Sequence, residues 1–373
     1  MHQTIPTIHR LLSPPGATPL DQLAARAASN ARLIRALALT NTFVSADPSI
    51  HAAFVGRATS FLRLSTGRGW PQFQQVAIDA VDAALLDVDQ MDFDTFIQDV
   101  TMRVALLGLL GVDASVRELD SRDIRFVATH ITLLWSLSKK SDPIPPNLLP
   151  QLNHHLRLLL PDVEAFPNPL DYLIPVWETL WRVVATTVAY AHRHSLEGDV
   201  FEAFHNLPTS AQFRAFCGER PSVEAIVAEA MRLHPPSRHI SRTSLVTHPI
   251  TSFLPSLIVK IIKPTPRQEC ADIGTVLRSE SIWGEDADIF KPLRYHPNRV
   301  TREQEKIKWL AFGHGRYRCV ATGWAPMAAG LISASILSRL ETGSGRRLVE
   351  GEFIGTREGW KGWTICKCAP AST

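Results

Sequence analysis

The stretch WLAFGHGRYRCVATGWAPMAAGLISASILSRL, Trp309 to Leu340, decides the reading of this chain. A lone cysteine, Cys319, follows a loop with glycines at Gly313 and Gly315 and arginines at Arg316 and Arg318. A mostly apolar pattern with helical spacing then runs from Cys319 to Leu340. A single cysteine commonly packs as a small buried hydrophobe. Loop N–H groups, nearby arginines and the start of a helix would instead favour a negative sulfur. Such a thiolate is a nucleophile or a metal ligand. No base or second ligand neighbours it in sequence, which points to a metal carried by a cofactor.

Composition narrows the classes. The chain has 373 residues, enough for one large core. Apolar residues make up 45% and charged residues 20%, ordinary for a water-soluble fold. A formal charge of +3 with scattered arginines argues against a nucleic-acid partner. The five cysteines, Cys217, Cys270, Cys319, Cys366 and Cys368, are too sparse for a disulfide framework. They fit a reducing, cytoplasmic compartment. No apolar run is long enough to span a bilayer, and the opening MHQTIPTIHRLLSPPGATP does not read as a secretory signal. Ile8, Leu11 and Leu12 offer a weak contact with a membrane surface, which would place the protein peripherally at the endoplasmic reticulum.

Hydrophobic spacing predicts helices over Pro19–Leu39, after a cap at Ser45 or Asp47, and over Gln72–Leu86, Asp92–Leu110, Arg122–Leu137, Asn147–Leu160 and Pro169–His194. A further helix, PSVEAIVAEAMRLHPP, stops at its prolines. From Ser237 to Ser281 β-branched residues and prolines predict short strands and turns. The tail from Arg346 alternates as a closing hairpin would. The expected architecture is mainly α with a small β portion, one domain over residues 1–373.

FGHGRYRC resembles the haem-binding loop of the cytochrome P450 family. The resemblance implies that Cys319 is the axial ligand of haem iron. It also implies that Phe312, Gly313, Gly315, Arg316 and Tyr317 shape the cofactor site. Three further patterns follow the family order. EAMR and FKPLRY resemble the segments of a structural Glu–Arg–Arg network, implying Glu229, Arg232 and Arg294. PVWETLWR resembles the distal helix, whose acid–alcohol pair would be Glu178 and Thr179, relaying protons. The family implies haem b as cofactor, electrons from NADPH through a reductase, and a hydrophobic small molecule as substrate. The implied activity is a monooxygenase inserting one oxygen atom from O2. FGHGRYRC and WGEDADIF resemble fungal members in particular, suggesting secondary metabolism.

Several positions depart from the family. Pro175-Val176 replaces the usual Ala-Gly, with Trp177 next; Val176 and Trp177 then become candidates to line the substrate pocket. Tyr317 stands where an arginine or histidine usually meets a haem propionate, so Arg57 and Arg238 are the alternative cations. Ala321 replaces a glycine. The distal helix arrives early in the chain, which implies a fold without the usual N-terminal anchor and first strands. The strands near His239–Val246 and Ala271–Leu277 would then lack their normal partners. These departures keep two alternatives open: an isomerase, dehydratase or peroxygenase needing no reductase, and a non-catalytic haem-binding remnant. CKC, with Cys366 and Cys368, has no second ligand pair for zinc.

Overall fold

The structure is a computed structural model and describes residues 3–86, 88–196, 200–246, 265–340 and 345–368. The N-terminal part is a succession of helices: α1 (Ile5–Leu12), α2 (Pro19–Asn30), α3 (Arg32–Leu37), α4 (Pro48–Arg68) and α5 (Trp70–Leu85). After β1 (Gln90–Asp92) come α6 (Phe93–Val104), α7 (Ser121–Ser138), α8 (Leu148–Leu159) and the long α9 (Leu170–Arg193). The short α10 (Glu202–Asn206) and α11 (Ser210–Arg214) precede α12 (Val223–Leu233). Then follow β2 (His239–Val246), β3 (Thr265–Asp272), α13 (Ile273–Leu277), α14 (Glu280–Trp283), α15 (Arg302–Ile307), α16 (Ala325–Leu337), β4 (Arg346–Val349) and β5 (Thr364–Lys367).

Local chemistry sets most of these boundaries. Thr18 and Asp21 form a capping box ahead of α2, with Pro19 in its first turn. Asp47, not Ser45, caps α4 by accepting the Ser49 N–H at 2.7 Å. The single helix expected over Pro19–Leu39 is broken in two. Asn30 turns its side-chain amide back onto the Arg26 carbonyl at 3.1 Å, competing with the backbone ladder where α2 ends. Left-handed Ala38 (φ 48°) then stops α3.

At the centre α9 packs against α6, α12 and α16. From Pro326 to Leu337 every residue of α16 is buried, as expected of a helix that is apolar all round. Pro175 lies inside α9 and leaves the Asp171 carbonyl without its helical donor. The side-chain amide of Asn41 donates to that carbonyl at 2.8 Å. The Asp171 carboxylate meanwhile accepts the backbone N–H groups of Thr40 and Asn41 at 2.9 and 3.2 Å. The loop between α3 and α4 is therefore fastened to the first turn of the distal helix.

The sheets are small. β1, β5 and β4 form one antiparallel sheet in that order, with Ile365 opposite both Met91 and Leu348. The expected tail hairpin is thus completed by a strand from far upstream. β2 and β3 pair antiparallel, from His239 opposite Asp272 to Val246 opposite Thr265. The expected strand over Ala271–Leu277 is corrected here. The strand ends at Asp272, which caps α13 by accepting the Thr275 N–H at 3.0 Å and the Thr275 hydroxyl at 2.8 Å. These two strands form a sheet of their own. They pair with each other, α2 packs on β2, and α1 packs on β3. Residues 247–264 of the expected strand-and-turn region lie outside the described residues.

The segment offered to a membrane surface is used internally. Ile8 and Leu12 are buried in a second apolar cluster with Ile273, Trp283, Tyr295 and Leu310, and Leu11 packs on its edge. No helix among the described residues is long and apolar enough to cross a membrane.

At the end of α12, His234 shares a 2.9 Å hydrogen bond with the Tyr190 hydroxyl. Burial, helped by the charges of Arg278 and Arg238, pushes the imidazole down to about 4. The unfolded chain takes up this proton near pH ~6.5, and the fold refuses it until about pH 4. Stability from this group is therefore complete above about pH 6.5 and is lost as pH falls toward 4, by about 3 kcal/mol in total. Urea midpoints at about pH 7 and about pH 4.5 should show a smaller pH-dependent loss in His234→Gln than in the parent.

Candidate functional site

Between α15 and α16 the chain makes three single 3-10 turns, at Leu310–Phe312, Gly315–Tyr317 and Val320–Gly323. Gly313 (φ 84°) and Gly315 (φ 77°) lie in the left-handed region, where a side chain would strain the loop. Gly315 also meets the N-terminal segment so closely that a Cβ there would lie 2.7 Å from that of Ser13. The loop is closed by the Cys319 N–H, which donates to the Phe312 carbonyl at 2.9 Å.

Cys319 keeps accessible surface. The surrounding chain is nevertheless dense enough that burial pushes its thiol up, against a backbone hydrogen bond from Ala321 and the charge of Arg318. The helix expected to begin on Cys319 begins instead at Ala325. Cys319 caps only the turn Val320–Gly323, where the Thr322 hydroxyl takes its carbonyl at 2.7 Å. A long helix dipole therefore does not start at the sulfur. A bound metal would favour the thiolate form.

The N-terminal segment braces this loop. His9 of α1 stacks on His314 with ring centres 3.6 Å apart. The Tyr317 hydroxyl donates to the Pro19 carbonyl at 2.9 Å, at the start of α2. Arg316 and Arg318 are exposed.

The two alternative cations are placed elsewhere. Arg57 donates to the Ala165 carbonyl and lies 5.0 to 5.3 Å from the ring centres of Tyr172, Phe61 and Phe166. Arg238 is exposed at the turn before β2, where its charge acts on Asp272. Two arginines absent from the sequence reading hold the interior instead. Arg26 of α2 is 7% exposed. It donates to the Thr42 hydroxyl, lies 5.1 Å from the centre of the Tyr317 ring, and leaves its Nε without a partner. Burial and the charge of Arg242 push it down to about 10. Arg242 of β2 is also pushed down to about 10 by burial, and its Nη1 donates to the Ser241 carbonyl at 2.9 Å. Among the described residues neither pairs with a carboxylate. Buried cations normally do, so Arg26, with half-buried Arg242 acting on it through space, is suited to meet an anion. The sequence did carry a signal. Arg26 follows Leu23 by three on the buried face of a helix, and Arg242 follows half-buried Ile240 by two on a strand.

On α9 the acid and the alcohol part company. Glu178 is buried and pairs with Arg182 at 3.0 Å and with Arg357. Burial pushes its carboxyl up, while Arg182 and Arg357 pull it down. Arg182 also donates to the Pro236 carbonyl at 2.9 Å, tying α9 to the turn after α12. Thr179 lies on a half-buried stripe with Tyr172, Pro175 and Val176, its hydroxyl 3.4 Å from the Pro175 and Val176 carbonyls. Trp177 is fully buried, and its indole N–H donates to the Gln98 carbonyl at 3.2 Å, so it packs α9 onto α6.

Glu229, Arg232 and Arg294 come together. Arg232 grips the Glu229 carboxylate with two bonds of 2.8 Å. Arg294 Nε and the Lys291 backbone N–H each donate to Glu229 Oε1 at 2.9 Å. The remaining guanidinium donors cap carbonyls, including Leu277 by Arg232 at 3.0 Å and Asp286 by Arg294 at 3.1 Å. Among the described residues no cluster of three or more His, Cys, Asp or Glu could hold a metal by itself, and Cys366 and Cys368 form none. A metal held here through one cysteine has to arrive inside a cofactor.

Comparison with known proteins agrees with this geometry. Residues 217–346 match the family described as Cytochrome P450. Cytochrome P450 705A5 of Arabidopsis thaliana is 28% identical over 144 residues, 37% of this chain and 25% of that one. Cytochrome P450 monooxygenase abl1 of Leptosphaeria maculans is 32% identical over 101 residues, 26% of this chain and 17% of that one. The chain thus spans about a quarter or less of these relatives' own length. The solved open form of cytochrome P450 EryK from S. erythraea superposes with a TM-score of 0.53 at 18% identity, covering 95% of this chain and 90% of that one. The mainly helical fold with small sheets is the P450 fold. Residues 217–346 carry the sequence pattern of the cytochrome P450 family.

Proposed function

We propose that this chain is a haem-thiolate monooxygenase acting on a hydrophobic small molecule, with secondary metabolism as its setting. One observation carries the reading. A cysteine with accessible surface sits on a glycine-built loop whose Tyr317 ring lies 5.1 Å from Arg26, a buried arginine that pairs with no carboxylate among the described residues. Haem b has the matching chemistry, a metal centre for one thiolate and two carboxylates for the cations. Cys319 would hold the iron, while Phe312, Gly313 and Gly315 set the loop that presents it. Arg242 would meet a carboxylate. When bound, the haem supplies the redox chemistry of dioxygen, tuned by electron donation from the thiolate. Electrons would come from NADPH through a reductase.

The chain's own residues divide the remaining tasks. The Thr179 hydroxyl holds a proton on the half-buried stripe of α9, beside Val176. Glu178 is engaged by two arginines, so it serves as a proton source only when Arg357 lets go. The acid is therefore a reserve rather than the group in place.

The ferrous–carbon monoxide spectrum of the purified protein tests the reading. A strongly red-shifted Soret band is the expected result; no haem signal overturns it. Turnover with NADPH and a reductase, compared with peroxide alone, separates the monooxygenase from a reductase-free enzyme. Thr179→Ala is expected to raise the hydrogen peroxide released per NADPH consumed, because losing one proton-transfer group slows the productive path by about 100-fold or more. Unchanged coupling removes the proton role of Thr179.

A further inference from the structure

We propose that Arg26, carried by the N-terminal helix α2, supplies the positive charge that Tyr317 lacks toward the haem carboxylates, with the Tyr317 ring as its platform. The inference rests on the haem reading above and concerns which residue of this chain meets the cofactor. Tyr317 cannot do so with its own hydroxyl, because that group is committed to the Pro19 carbonyl. Its ring instead carries Arg26 at 5.1 Å from the centre and receives the edge of His51 at 4.8 Å. His51 shares a 2.8 Å hydrogen bond with the Thr42 hydroxyl that Arg26 also reaches, so four side chains hold one another in register.

This arrangement makes little sense as packing alone. A buried guanidinium normally satisfies its donors and pairs with a carboxylate. Arg26 has an unpaired Nε, a hydroxyl and two aromatic rings as neighbours, and half-buried Arg242 acting on it. The charge of Arg242 opposes that of Arg26, and a nearby anion would relieve both. A dicarboxylate converts the repulsion into two charge-assisted contacts. In this chain the upstream helix supplies the charge and the Tyr317 ring supports it.

The test titrates the full-length apo-protein with hemin and with hemin dimethyl ester, which lacks the two negative charges. Parent, Arg26→Met, Arg26→Lys and Tyr317→Ala are compared, and the melting temperature of each apo-protein is recorded. Arg26→Met is expected to weaken hemin binding about 10-fold or more, the scale of one charge-assisted contact, and to leave the ester within a factor of about 3. It should also raise the apo melting temperature by about 2–4 °C, since an unpaired buried charge is removed. Arg26→Lys keeps the charge and should fall between parent and Arg26→Met. Tyr317→Ala, which removes the platform, should narrow the preference for hemin. Equal losses for hemin and ester, or a lower apo melting temperature in Arg26→Met, overturn the proposal and make Arg26 a packing residue. If Arg26→Met does not fold, a parent-like hemin preference in both Arg26→Lys and Tyr317→Ala overturns it as well. A parent protein that takes up hemin without a thiolate spectrum defeats the proposed function instead. A thiolate spectrum with no preference for hemin over its ester defeats only this inference.

Discussion

Cys319→Ala is expected to abolish the red-shifted ferrous–carbon monoxide band and NADPH-dependent turnover while leaving the fold intact. The loop keeps its shape without the sulfur. Its glycines hold the left-handed turns, and the Cys319 N–H to Phe312 carbonyl bond belongs to the backbone. A side chain with accessible surface contributes little to packing, so the urea midpoint of the apo-protein should move by no more than about 0.5 kcal/mol equivalent. The contrast between a small stability change and a complete spectral loss is the useful result. A thiolate band that survives in Cys319→Ala overturns the assignment of the ligand.

Glu229→Gln is expected to behave in the opposite way, with a large loss of stability that does not depend on haem. The carboxylate is wholly buried and accepts from Arg232, Arg294 and the Lys291 backbone. Removing its charge leaves two guanidiniums buried against each other and stacked near Trp283. Breaking such a network costs about 3–5 kcal/mol, a large part of the 5–15 kcal/mol by which domains of ordinary stability persist. Urea unfolding of the apo-protein measures it directly. A loss below about 1 kcal/mol would show that the network is dispensable to the scaffold.

The difference between these two residues explains what sequence reading could reach. Cys319 and Glu229 both lie in short contiguous patterns, where neighbours along the chain are also neighbours in space. Glu229 and Arg232 share one turn of α12, and the cysteine loop is shaped by its own glycines. The helices were readable for the same reason, because period and caps are local. The break in α2–α3 was not, since it depends on which way Asn30 turns its amide.

Arg57 and Arg26 show the limit most clearly. Both are arginines on helices, and nothing in their immediate sequence says which one meets a cofactor. The fold turns Arg57 onto Tyr172, Phe61 and Phe166, while it places Arg26 against Tyr317, a residue more than half the chain away. Trp177 and Glu178 were likewise assigned by their position in a motif. The structure instead points one at Gln98 and the other at Arg357. Chain-local chemistry was enough to mark out the glycine-shaped cysteine loop, the helical scaffold and the buried carboxylate network. Which cations remain without a counter-charge depends on every element packed around them, because charge pairing acts through space and not along the chain.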